Sequence, residues 1–178
     1  MKAFWAKGYA ATSTEDLLRA MGIGRQSLYH AFGDKRRLYV EALETYQRET
    51  TGGHLKRLNG AASPLAGIRD LLTGLIDQDE RLRTLGCMGI NSVGEFGVSD
   101  PELQELRTKV AMVINKRLRA RLSEGQANGE IDPSFAAEEA ADFIQLTMAG
   151  IQLAARGGAG LDELRRMAGF ATDRLRSR

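Results

Sequence analysis

Cysteine is almost missing from these 178 residues. Cys87 stands alone, which excludes an intramolecular disulfide framework and suits a reducing cytoplasm. Valine and isoleucine are scarce beside alanine, leucine, arginine, glutamate and glutamine, a balance that favours helices over sheets. No segment of any length alternates at period two, so no sheet is expected. No apolar run approaches the roughly 18 residues of a membrane span. The opening "MKAFWAKGY" is too short and too polar for a secretory signal. Two histidines and one cysteine are too few for a zinc site of the usual kind. Paired-histidine, nucleophile-elbow and phosphate-loop patterns are missing too, and "GIGRQS" lacks the third glycine of a dinucleotide fingerprint. The acids of "DQDE" (Asp77, Asp79, Glu80) fall on an expected helix exterior. The expectation is a protein that is not an enzyme, with no catalytic residue, no metal and no cofactor.

Charge is unevenly spread. The chain carries a net +2, yet residues 1–40 hold seven Lys/Arg against three acids, a net +4, so the remaining 138 residues sum to −2. A basic N-terminal segment on a near-neutral body suits a polyanion partner at one end, and also suits an ordinary solvated surface. Along the chain, glycines and caps punctuate helical patterns. Residues 1–8 end a helix at Gly8, with Phe4 as a buried anchor and Trp5 beside it. Ser13 caps the next helix with Asp16 three residues on; Leu17, Leu18 and Met21 form its apolar side and Gly22 stops it. A helix over 25–32 carries Leu28 and Phe32 on one face. Gly33 breaks it, Asp34 caps, and a helix runs from Lys35 to about Thr50, striped by Leu38, Tyr39, Ala42, Leu43 and Tyr46 and ended by "TGGH". Pro64, Pro101 and Pro133, each after Ser or Asp, open three further helices. The segment 86–97 is helical and glycine-rich, and a last helix covers about 161–176.

Two short helices joined by a glycine-containing turn, at 14–21 and 25–32, make a helix-turn-helix unit. Its second helix is barely two turns long and cannot stand alone in water. Leu28 and Phe32 hold it to its neighbour, leaving Arg25, Gln26, Ser27, Tyr29 and His30 for the DNA major groove. Arginine and glutamine suit two-pronged contacts to guanine and adenine, while Tyr29 and His30 suit phosphate or thymine methyl groups. Lys35, at the following helix N-terminus, makes a phosphate site.

The run "GYAATSTEDLLRAMGIGRQSLYHAFGDKRRLYVEAL", residues 8–43, resembles the tetracycline-repressor (TetR) family of bacterial transcriptional regulators. "LYHAF" followed by "DK" and a leucine is its most specific part. The resemblance implies an all-α protein with a three-helix N-terminal DNA-binding domain (1–45) and a C-terminal helical bundle for ligand binding and dimerisation (46–178). It implies a homodimeric repressor of a palindromic, double-stranded DNA operator, joined mainly through the last two long helices. By position, Arg25, Gln26, Ser27, Tyr29 and His30 would read DNA, with Thr14 and Lys35 on the backbone. Two departures stand out. The family's first helix is usually preceded by a dozen or more residues, so this one starts late, whether truncated, misassigned or shortened. Gly24 replaces the usual serine cap, at little cost.

A regulator needs a signal. Cys87, Met88, Phe96, Met112, Phe143 and Met148 are candidate linings of an effector pocket between helices, beside Gly86, Gly89, Gly94 and Gly97; each alone suits plain core. Their character suits a small hydrophobic or amphipathic effector. Cys87, at a helix start with Arg81 and Arg83 near in sequence, is either a reactive sensor thiol, as the resemblance allows, or a small buried hydrophobe. Small residues of the last two long helices (Ala136, Ala137, Ala140, Ala141, Ala149, Ala154, Ala155) allow close packing between subunits or within one. The basic residues Lys109, Lys116, Arg117, Arg119 and Arg121 read as a solvated face. The alternatives to a ligand-released regulator are a thiol-based redox or electrophile sensor acting through Cys87, and a helical adaptor without DNA binding.

Overall fold

The computed structural model describes residues 1–177. They form ten helices: α1 Lys2–Lys7, α2 Thr14–Met21, α3 Arg25–Phe32, α4 Lys35–Gly60, α5 Pro64–Thr73, α6 Glu80–Arg83, α7 Met88–Phe96, α8 Pro101–Ala127, α9 Ala137–Arg156 and α10 Leu161–Asp173. Among the described residues there is no strand, only an isolated antiparallel bridge between Ile131 and Arg176. No helix is long and apolar enough to cross a membrane.

Two buried clusters organise the chain. The first joins Phe4, Leu17, Leu28 and the Leu38–Tyr46 stripe of α4 to Met88 of α7 and Leu103 of α8. It therefore reaches from the three-helix head into the body. Its aromatic heart packs edge to face: Phe4 and Tyr39 lie 5.0 Å apart at 86°, a preferred ring arrangement. The second cluster fills the space between α5, α8, α9, α10 and the far end of α4 around Leu58, Ile68, Leu118, Ile144 and Leu164.

Several helix ends differ from the sequence pattern, each for a tertiary reason. α4 does not stop at "TGGH" but continues through Gly52 and Gly53 to Gly60. Each interior glycine costs about 1 kcal/mol against alanine. Burial of Leu58, 1% exposed in the second cluster, outweighs that cost. α9 begins at Ala137, not Pro133. There the Asp132 carboxylate accepts from Ser134 N–H (2.8 Å), while Gln126 Nε2 donates to the carbonyls of Asp132 (3.1 Å) and Phe135 (2.9 Å), holding a turn instead of a helical start. α8 runs past Gly125 to Ala127. At Gly125 a Cβ would stand 2.5 Å from Ile131 Cδ1, so this glycine serves close packing and does not end the helix. α10 stops at Asp173, before the bridge at Arg176. The four-residue α6, capped by Asp79, is too short for any hydrophobic period to reveal. Met21, expected on the apolar side of α2, is 40% exposed.

Candidate nucleic-acid interface and the cavity behind it

The head is assembled by local chemistry. Ser13 and Asp16 form a reciprocal capping box at the start of α2: Ser13 Oγ accepts from Asp16 N–H at 3.0 Å, and Asp16 Oδ2 accepts from Ser13 N–H at 3.1 Å. Lys7 Nζ adds a 3.0 Å contact to the same carboxylate. That contact, then the two bonds with Ser13, hold the Asp16 carboxyl down at about 2. Gly22 ends α2 in the left-handed region at φ 65°, where a side chain would be strained. Gly24 then opens α3 in extended backbone, with no side-chain cap.

On α3, Leu28 is completely buried and Phe32 packs against the first cluster at its edge. Arg25, Gln26, Ser27, Tyr29 and His30 are all exposed. The expected readers therefore share the solvent side of one short helix anchored through its opposite side. Arg25 is not free on that surface: its Nη2 is paired with the Glu15 carboxylate of α2. Thr14, the first residue of α2, is half-buried. Lys35 opens α4, where Asp34 Oδ1 caps Arg37 N–H at 2.7 Å, and its Nζ lies 4.3 Å from the centre of the Tyr9 ring. Glu15 is a partner that sequence reasoning missed; its place on the first turn of a neighbouring helix carries no signal until the two helices are set side by side.

The head is tied to the body at several points. Glu95, on α7, accepts from the N–H groups of Tyr9 (2.8 Å) and Ala10 (3.2 Å). Trp5 Nε1 donates to the Gly86 carbonyl at 2.9 Å. Arg36 forks onto Asp100 at 2.9–3.3 Å and reaches Glu102 at 2.8 Å, joining the starts of α4 and α8.

Behind the head lies a cavity of about 670 Å³, walled by α4, the α5–α6 connection, α7, α8 and α9. Of the residues expected to line an effector pocket, Cys87 and Met148 lie on the wall of this cavity. The other four stand elsewhere. Met88 turns into the first cluster, and Phe96 packs beside Tyr9 and Tyr39 at 5.4 and 5.6 Å. Met112 and Phe143 lie on the outer surface. Apolar character alone does not separate these fates. Cys87 is half-buried at the N-cap of α7, next to the Tyr46 hydroxyl, whose pKa is raised mainly by burial and further by Cys87. Missing from the expected set are Gln47, His54, Arg57 and Arg83, all on the cavity wall. Two of these, His54 and Arg57, sit on the part of α4 beyond the point where the glycines suggested a stop. Burial, then the charge of Arg57, push His54 down to about 4, so its imidazole is neutral at ordinary pH.

Comparison with known proteins agrees with this layout. Residues 1–42 match the family "Bacterial regulatory proteins, tetR family", and residues 64–168 match "Tetracyclin repressor-like, C-terminal domain". The chain is similar to the HTH-type transcriptional repressor ComR of Escherichia coli, 29% identical over 174 residues, which are 95% of this chain and 81% of ComR. It is also similar to the HTH-type transcriptional regulator YezE of Bacillus subtilis, 33% identical over 136 residues, 73% of this chain and 70% of YezE. Among solved structures, a cysteine variant of the TetR family regulator CifR in complex with 26-base-pair operator DNA superposes with a TM-score of 0.80 at 25% identity, covering 96% of this chain and 90% of that one. A TetR regulator from Chloroflexus aurantiacus shares the fold with a TM-score of 0.79 at 24% identity, covering 99% and 91%. With the head and the bundle each matched, in that order, along one all-helical chain, the protein belongs to the TetR family of bacterial regulatory proteins.

Proposed function

We propose that this chain binds a palindromic DNA operator as a homodimer, represses there, and is released when a small molecule fills the cavity behind the head. The observation that carries the reading is the exposure of Arg25, Gln26, Ser27, Tyr29 and His30 on a helix pinned by fully buried Leu28. On a two-turn helix entering the major groove, Arg25 and Gln26 are the base readers. Thr14 and Lys35 stand at helix N-termini, where backbone N–H groups face phosphate. DNA must draw Arg25 away from Glu15, so the exposed pair also withholds that guanidinium from weak, non-cognate contacts.

The dimer reading rests on an apolar face at the end of the chain. Phe143, Leu146 and Leu153 of α9 and Met167 and Phe170 of α10 are exposed, on helical spacings of three and seven in α9 and three in α10, an outward apolar stripe on each helix of the kind that marks an interaction site. Of the small residues that sequence left open to packing between subunits or within one, Ala140, Ala141 and Ala155 are buried inside the subunit's own core.

For the switch, α4 is the shared element. Its first half packs in the head, and its second half walls the cavity. A ligand preferring a shifted α4 would change the separation of two recognition helices and so loosen DNA. The test is a salt titration of binding to DNA selected by the protein from a random pool. A regulator of this design loses affinity steeply with salt, and Arg25→Ala with Gln26→Ala abolishes the sequence preference. No measurable DNA binding at low salt would leave the helical-adaptor alternative.

A further inference from the structure

Inside the cavity, α4 presents one polar column, Gln47, Thr50, His54 and Arg57, at helical spacings of three and four. Gln47 is only 6% exposed, yet its Oε1 has no hydrogen-bond partner. His54 Nδ1 and Arg83 Nε are likewise buried and unpartnered. The Arg57 guanidinium lies against Gly74 and pairs with no carboxylate among the described residues. Arg83 spends its Nη1 on two backbone carbonyls, Asp77 (3.0 Å) and Gln78 (3.3 Å), and on no acid. Arg57 thus stands at the C-terminal end of α5 and Arg83 on the 77–78 connection that follows it, while Leu75, Val110, Ile114 and Met148 give the cavity an apolar wall.

This combination discriminates among ligands. A purely apolar ligand would leave Gln47 Oε1, His54 Nδ1 and Arg83 Nε desolvated without partners, each a cost of about 1–3 kcal/mol. A cation would meet three arginines on the lining, Arg57, Arg83 and Arg107, against two acids, Glu49 and Asp77. A carboxylate matches the planar fork of a guanidinium and leaves it no longer unpaired. Neutral His54 can offer one donor or one acceptor beside it. We propose that the cavity binds an amphipathic organic carboxylate, its carboxylate held by Arg57 and Arg83, its carbon body against Leu75, Ile114 and Met148, and a hydroxyl or N–H donated to Gln47. The inference rests on the effector reading and names the ligand class for that site.

Trp5 is the chain's single tryptophan and lines the same cavity, so its emission reports occupancy. The full-length protein is titrated below micelle formation with dodecanoate, 1-dodecanol and dodecylammonium, and separately with 1-naphthoate and naphthalene. The carboxylates should bind about tenfold or more tightly than their neutral counterparts, and dodecylammonium least. Arg57→Gln and Arg83→Gln should each erase most of that preference and leave 1-dodecanol affinity unchanged, and R57K should keep part of it. Circular dichroism checks that each variant is folded. Equal affinity for acid and alcohol, a preference that survives both substitutions, or no Trp5 response to either carboxylate overturns the proposal. Release of selected DNA is followed in the same samples. A carboxylate that fills the cavity in this manner and leaves DNA bound keeps the ligand class and removes the effector reading. DNA binding with an unfilled cavity removes the ligand class alone.

Discussion

Gly8 is the joint on which the head's attachment turns, and Gly8→Ala tests that attachment. The residue sits at φ 82° and ψ 177°, a region that only glycine occupies without strain, which for alanine costs about 1–3 kcal/mol. A Cβ there would also stand 2.5 Å from Glu95 Oε1, so the carboxylate has to move. Moving it gives up its bonds to Tyr9 N–H at 2.8 Å and Ala10 N–H at 3.2 Å. Because those bonds are solvent-accessible, they contribute about 1–2 kcal/mol together, at the low end for a charged acceptor. The expected loss is therefore about 3 kcal/mol, a large share of the roughly 5–15 kcal/mol that holds a domain folded. Urea unfolding at fixed protein concentration measures it, with Glu95→Ala and the double variant completing a cycle. In the Glu95→Ala background, Gly8→Ala should cost only the strain, about 2 kcal/mol. Strict additivity, with the full loss retained when Glu95 is absent, would refute the close approach as the cause.

Leu28→Ala should cost about 2–5 kcal/mol by urea unfolding, because its side chain is completely buried. Tyr29→Ala, on the exposed side of the same helix, should change stability by less than about 0.5 kcal/mol and weaken DNA binding. His54 should make stability depend on pH. Its pKa falls from 6.5 to about 4 on folding, so the unfolded chain takes up a proton that the folded chain refuses. Stability is full above about pH 6.5 and declines as pH falls toward 4, by up to about 3 kcal/mol. Unfolding curves of His54→Gln should lack that part of the decline, and identical profiles would contradict it. Leu146→Glu, at the centre of the exposed apolar face of α9, should yield monomers by sedimentation at concentrations where the parent is dimeric.

The head was legible because its signals are local. Ser13 with Asp16, Gly22, Gly33 and Asp34 each act within four residues, and all appear as caps or stops where the sequence put them. "TGGH" misled because glycine's local preference was outweighed by Leu58, whose burial depends on α5 and α8. That error also hid His54 and Arg57, since a helix thought to end at Thr50 cannot carry a column to residue 57. Met112 and Phe143 looked like pocket residues because a sequence records that a side chain is apolar and not which surface covers it. Cys87 and Met148 reached the cavity, but nothing in their spacing set them apart from Met88 and Phe96.

The central claim, that α3 reads bases, is tested most directly by sequencing the DNA that the protein selects from a random pool, for the parent chain and for Gln26→Ala. The account predicts a palindrome with half-site centres about 34–36 Å apart or a multiple of that. With Gln26→Ala, preference should relax at one symmetry-related base pair in each half-site, at a discrimination cost of about 1–3 kcal/mol. A selected sequence that is unchanged by Gln26→Ala and likewise by Arg25→Ala would contradict it.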